Sequence, residues 1–298
     1  MPDNKKLIAK LGLDLLATLL VGLPFFLFYF IGDPYVRGFY CDDESIRYPF
    51  KESTISSGLL FSVSIITSLL VIMTTEFMSL PGMNIMKRGS GNNGGQPIIQ
   101  FIWTLYHQLI VFAFGALASQ TLTDIAKYSI GRLRPHFISV CDPNVNCDEP
   151  RNKYRYIEDY SCLTSDRLRD SRLSFMSGHS SFSAYCAVYI AIYLQNRVKH
   201  QKLALPRAFL QVLVIYLSIY TGFTRISDYK HHWSDVLVGL FQGALVAILT
   251  TRFVANLFRF TISASGLSAV AVENASVSED LKQRGNNFAT FEVDHEPA

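Results

Sequence analysis

The chain has 298 residues, of which 49% are hydrophobic and only 17% charged, and its mean hydropathy is positive at +0.21. Soluble domains carry about 25% charged residues, so this composition argues against two ordinary soluble domains. It also excludes a disordered chain, a collagen-like chain and a small disulfide scaffold. A net charge of +3 is too small for a protein that binds nucleic acid, which leaves a membrane protein as the leading class.

A helix needs about 20 apolar residues to cross a bilayer. Stretches free of Asp, Glu, Lys and Arg predict six such helices, over about 7–32, 53–78, 97–123, 178–196, 204–225 and 233–258. The first follows Lys5, Lys6 and Lys10, as a signal peptide would. Its apolar run, Leu15–Gly32, exceeds the roughly 7–15 residues of a cleaved leader, so a retained span is expected. The fourth starts with the polar cluster Ser177–Ser181. Arg207 and Arg252 extend the fifth and sixth by reaching the interface on long stems.

Basic residues mark the N-terminus, the second connection (Lys87, Arg88) and the fourth (Arg197, Lys199, Lys202, Arg207), while the first connection, Asp33–Glu52, has five acids against three bases. The positive-inside rule then puts both termini in the cytosol and the first, third and fifth connections together on the opposite side. Within the second connection, Gly89–Gly95 reads as a flexible linker and lacks the ending of a phosphate loop. Residues 260–298 hold six acids against Lys282 and Arg284, a balance of −4 that leaves +7 for residues 1–259. This acidic segment is expected to be a disordered cytosolic tail, in which the glycosylation sequon at Asn274 stays unmodified.

Cys186 falls inside the fourth helix as a small buried hydrophobe. Cys41, Cys141, Cys147 and Cys162 fall in connections assigned to the non-cytosolic side. Disulfides are expected there rather than zinc, with three pairings open and at least one bond within the third connection. Asp14, Glu76, Gln100, His107 and Gln108 lie within or at the ends of spans, where interfacial placement or interhelical hydrogen bonding explains them.

Three segments carry chemistry. The third connection opens with Lys127-Tyr-Ser-Ile-Gly-Arg-Leu-Arg134-Pro135, where a spacing of seven would put two cations on one helical face. It closes with Ser177-Gly178-His179, a helix start that offers free N–H groups to an anion and a histidine as proton donor. The fifth connection holds Arg225, His231, His232 and Asp235. If His231 and Asp235 are on a helix at i and i+4, the carboxylate would fix the tautomer of a nucleophilic imidazole. Spacing alone also allows His232 with Asp235, and metal ligation by this cluster is a weaker option.

The set Lys-x6-Arg-Pro, Ser-Gly-His and Arg-x5-His-x3-Asp resembles the three-part signature of the lipid phosphate phosphatases, the membrane branch of the type-2 phosphatidic acid phosphatase family, related to vanadium haloperoxidases. The likeness runs from about Leu7 to Phe258, with Met176 and Thr224 as departures that remove no charged group. It implies an all-α, six-transmembrane-helix bundle with a haloperoxidase-like core over residues 1–259. It further implies a phosphohydrolase that needs no metal or cofactor and acts on phosphatidic acid, lysophosphatidic acid, sphingosine 1-phosphate and ceramide 1-phosphate. By resemblance His231 is the nucleophile, Asp235 its support and His179 the acid–base. Lys127, Arg134, Pro135, Ser177, Gly178 and Arg225 form the phosphate site. The expected setting is the plasma membrane with an extracellular or lumenal site, the partners being phospholipid and sphingolipid phosphates, with homo-oligomerisation left open. The competing readings are a catalytically silent relative, or a polar-lipid transporter using the charged residues of the spans.

Overall fold

The computed structural model describes residues 4–79, 96–164, 167–255 and 257. The linker at Gly89–Gly95, the bases Lys87 and Arg88, and the acidic tail with Asn274 lie outside these residues. In chain order the helices are α1 (Asn4–Ile31), α2 (Ser57–Met78), α3 (Gln96–Ile130), the short α4 (Phe137–Cys141), α5 (Pro150–Lys153) and α6 (Leu168–Ser171), then α7 (Gly178–Arg197), α8 (Ala204–Ser227) and α9 (Trp233–Leu249). Two-residue strands β1 (Phe39–Tyr40) and β2 (Tyr156–Ile157) pair antiparallel, Phe39 opposite Ile157.

Among the described residues, five helical stretches, Leu7–Ile31, Ser57–Met78, Phe101–Ile130, Gln201–Ser227 and Trp233–Val254, are long and apolar enough to cross a membrane. The remaining expected span, the fourth (α7), is not among these stretches and differs in its surroundings. It packs against α2, α3, α8 and α9, and twelve of its residues are buried, Ser180, Ser181 and Ser183 among them. A helix surrounded by protein need not be apolar, because its polar side chains find partners on neighbouring helices. Ser181 Oγ lies 3.0 Å from both Ser119 Oγ and Thr123 Oγ1 and donates to Gln242 Oε1, which joins α3, α7 and α9 in one buried knot.

Glycines bring α7 and α9 closer than ordinary side chains permit. A Cβ on Gly239 would fall 2.7 Å from the Ser177 carbonyl oxygen, and one on Gly243 would fall 2.0 Å from that of Ser181. Only a bare Cα fits either contact. The Ser177 N–H then donates to the Asp235 carbonyl at 3.1 Å, tying the second motif directly to the third.

The third helix is longer than its expected end at Thr123. It runs on through Asp124 and Lys127, whose side chains pair at 3.5 Å one turn apart. It stops at Gly131, whose φ of +57° and 1.9 Å Cβ approach to the Tyr35 carbonyl exclude other residues. Arg134 is therefore off the helix, and the expectation that it shares a helical face with Lys127 is corrected. At the other end of the bundle's sequence, α9 closes in a π turn over Thr250–Val254, short of the expected 258.

The first and third connections fold together as a cap over one end of the bundle. Phe39, Ile46, Leu133, Phe137 and Ile157 form its small core. Cys141–Cys162 is the expected bond within the third connection. Cys41–Cys147 crosses to the first connection and spans 106 positions, and Cys186 is buried and free.

Candidate active site

All three motifs meet beneath this cap. Lys127 reaches up from the last turn of α3, and its ammonium would be 3.0 Å from a Cβ on Gly178, so glycine leaves room for a cation at the start of α7. After the Gly131 turn the chain runs extended. Its Arg134 N–H bonds the Ser171 carbonyl at 2.8 Å, and the Arg134 side chain, 8% exposed, pairs with Asp170 at 2.7 Å. The Pro135 carbonyl accepts the Tyr48 N–H at 2.9 Å.

Ser177 caps α7. Its Oγ accepts from the Ser180 N–H at 3.4 Å and the Ser180 hydroxyl at 3.0 Å, so its own hydrogen is left to donate. The N–H groups of Gly178 and His179 open the helix, at the positive end of its dipole. The His179 ring bonds the backbone of Ile55, while its Nε2 is buried with no hydrogen-bond partner, as is Arg134 Nε. Buried donors and acceptors are rarely left unpaired, and the Arg134 charge lies near enough to act on the His179 ring.

Arg225 ends α8 almost wholly enclosed, 1% exposed. Its carbonyl accepts the N–H groups of Lys230 and His231 at 3.0 and 3.1 Å, so the same arginine fixes the backbone leading into His231. Thr224, one of the two departures from the common pattern, keeps its hydroxyl against the Arg225 guanidinium at 3.4 Å.

His231 lies in the bend before α9, not on a helix, and Asp235 does not hold it directly. The His231 Nδ1–H donates to the Ser174 carbonyl at 2.7 Å, whereas the Asp235 carboxylate is 3.9 Å away. That leaves the Nε2 lone pair for attack. Asp235 acts one step back: it accepts the Ser174 hydroxyl at 2.6 Å and pairs with Arg132 at 2.5 Å. It also accepts the His232 N–H at 3.0 Å as half of a capping box on α9. The carboxylate therefore locks Ser174, and Ser174 aims the imidazole. Burial first, then the charges of Arg134 and Lys127, hold the His231 ring well below 6.5 despite the opposing pull of the Ser174 carbonyl. A neutral imidazole near the charges of Arg134 and Lys127 can attack an anionic phosphorus centre.

Lys230 stands beside this group, 5% exposed, its ammonium 3.7 Å from the centre of the Phe50 ring. Burial, then Arg134, pushes it down to about 8.

The second span was expected from residue 53, but α2 begins only at Ser57, so Thr54 and Ile55 belong to the connection before it, and their contribution was missed. Thr54 gives its N–H (2.7 Å) and hydroxyl (2.8 Å) to the Asp228 carboxylate, which pairs with Arg225 at 2.9 Å. Asp228 is fully buried. Burial works against its charge, but the Thr54 bonds, Arg225 and Lys51 outweigh that and hold the carboxyl below the usual range. An Asp three positions after a helical Arg was a legible i, i+3 pair; nothing in the sequence pointed to Thr54, Ile55, Arg132 or Ser174.

Comparison with known proteins places this geometry in context. The PAP2 superfamily model matches residues 108–259. Phospholipid phosphatase 1 of Rattus norvegicus is 43% identical over 289 residues, covering 96% of each chain. Phospholipid phosphatase 2 of Homo sapiens is 43% identical over 250 residues, 83% of each chain. A putative phosphatidate phosphatase of Drosophila melanogaster is 41% identical over 274 residues, 87% of this chain and 72% of that protein. No solved structure matches.

Proposed function

The chain belongs to the PAP2 superfamily, among its multi-pass lipid phosphate phosphatases, and from that premise we propose a metal-independent reaction through a phosphohistidine. The proposed substrates are phosphatidic acid, lysophosphatidic acid, sphingosine 1-phosphate and ceramide 1-phosphate. His231 Nε2 attacks phosphorus, the P–O ester bond breaks, and His179 gives its proton to the departing alcohol. His179 then takes a proton from water as that water attacks the phosphohistidine, releasing phosphate and restoring His231. Lys127, Arg134 and Arg225, with the Ser177 hydroxyl and the Gly178 N–H, hold the phosphate oxygens. Phosphoryl transfer is mainly positioning and charge stabilisation, and three fixed cations supply the charge that a magnesium ion supplies elsewhere.

The observation that supports this reading best is a buried, neutral imidazole with a locked tautomer, set opposite the unpartnered Nε2 of His179. Purified protein should release phosphate from phosphatidic acid in detergent micelles at the same rate with and without chelator. Loss of activity on chelation, restored by a divalent ion, would sink the metal-independent mechanism.

The same reading makes residues 1–259 the catalytic domain and residues 260–298 a cytosolic tail, with the cap extracellular or lumenal. The basic N-terminus and even-numbered connections support that orientation. Intact cells carrying the protein in the plasma membrane should hydrolyse lysophosphatidic acid added outside, without uptake. Hydrolysis seen only after permeabilisation would reverse the orientation.

A further inference from the structure

A groove of about 260 Å³ runs down the bundle between α2, α7 and α8, and its lining is almost entirely apolar. Its upper end abuts the catalytic groups. Ile55, whose backbone holds the His179 ring, is part of the wall. Ser183 lies one helical turn below His179, and Thr221 one turn below Arg225. From Ser183 the groove descends along Ala187 to Ile190, roughly 10 Å of helix at 1.5 Å per residue. Just below, Gln211 donates to the Ala191 carbonyl at 2.8 Å, bridging α8 to α7 and closing the gap. The side is open: Leu59, Val63 and Leu217 line it and are each more than half exposed, on a face of the bundle that meets hydrocarbon.

We propose that this groove takes the first part of one hydrocarbon chain of the substrate, and that its floor sets how much of that chain the enzyme reads. The proposal rests on the lipid phosphate reading above. Continuity with the site selects the occupant, since a chain leaving a phosphate bound by Lys127, Arg134 and Arg225 meets an apolar slot beginning at Ile55 and Ser183. Volume selects one chain: the groove lies below the roughly 300 Å³ at which pockets begin to enclose a whole small ligand. A second chain stays in the bilayer, and so does the rest of the first, because 10 Å is about a third of a hydrocarbon core roughly 30 Å thick.

The consequence is chain-length discrimination with an early limit. Among monoalkyl phosphates in one detergent, kcat/KM should climb from ethyl to octyl phosphate and level off before hexadecyl. Ala187→Leu raises the floor from α7. Leu217→Trp narrows the groove from the lipid-facing wall, where added bulk does not threaten the fold. Each should lower the preference for octyl over ethyl phosphate by about tenfold, the low end of what a methylene is worth in an apolar pocket. Wild-type preference in both variants would overturn the proposal.

A decyl phosphate with a diazirine midway along its chain separates this idea from the reaction itself. Irradiated with the His231→Ala protein, it should mark α2, α7 and α8 near Val63, Ala187 and Leu217. Labelling there in a protein whose wild type hydrolyses no phosphate ester would uphold the groove and remove the reaction. Hydrolysis by the wild type, with labelling confined to α1 or to the outer face of α3, would uphold the reaction and remove the groove.

Discussion

His231→Ala should lower turnover by about 10⁴-fold or more, as loss of a nucleophile does, and leave no phosphate on the protein. His232→Ala should keep the intermediate. Its ring stands 3.3 Å from the Asp235 carboxylate, with no path to phosphorus in the proposed mechanism. His179→Ala should cost about 10²–10⁴-fold, in both leaving-group departure and hydrolysis of the intermediate. The measurement is acid-labile, base-stable phosphate after a rapid quench, mapped by mass spectrometry. Phosphate on His232, or a fully active His231→Ala protein, would reverse the assignment.

The pH dependence follows with a definite sign. Protonation would destroy the nucleophile, and the folded protein holds the His231 imidazole well below 6.5. Phosphoenzyme formation should therefore persist as pH falls through 6.5, and fail only in more acid solution.

The second large effect is expected at a carboxylate that is not itself one of the motif residues. Asp228→Asn leaves the Arg225 guanidinium buried beside a neutral amide, and breaking a buried ion pair costs about 3–5 kcal/mol. A misplaced phosphate-binding cation should lower kcat/KM by about 10²-fold. Thr54→Val removes the hydroxyl donor to Asp228 and keeps the backbone bond, so a smaller loss of about tenfold is expected, recovered by Thr54→Ser. Vanadate, a phosphate mimic, separates positioning from damage to the fold: its inhibition should weaken in proportion to kcat/KM in each variant. An Asp228→Asn protein that binds vanadate and turns over like the wild type would show that the Thr54–Asp228–Arg225 chain positions nothing.

The bundle was legible because membrane spans announce themselves by length and lack of charge, and the three motifs because each has fixed spacing on a helix end. What escaped was everything held by tertiary contact. The resemblance makes Asp235 the support of His231, and the i, i+4 spacing agrees only if both are on one helix, but the helix starts two residues after His231, at Trp233. The carboxylate then turns to Ser174, a residue 61 positions earlier. Arg134 was placed on the face of Lys127 by the same helical assumption, which Gly131 breaks. Thr54 and Ile55 fall within the charge-free run expected as the second span from 53, but the helix begins only at Ser57, and their role exists only once the cap has closed over the bundle. The glycines at 239 and 243 form a small-xxx-small pair that could have been read as a close helix contact; their sequence does not say that the contact is with the Ser177–Ser181 turn.

The polar character of α7 bears on how the protein enters the membrane. Five helical stretches are apolar enough for an insertion machine to release into lipid on their own account. The helix that opens with Ser177-Gly178-His179 is not among them. Its serines and tyrosines are accommodated by contacts with α2, α3, α8 and α9, and the last two of these are made after it in the chain. During synthesis α7 must be held beside earlier helices until α8 and α9 arrive. The chain that carries the proposed phosphate-binding turn thus depends on later helices for its place in the bilayer, and the proposed catalytic centre would be assembled only as the membrane fold is completed.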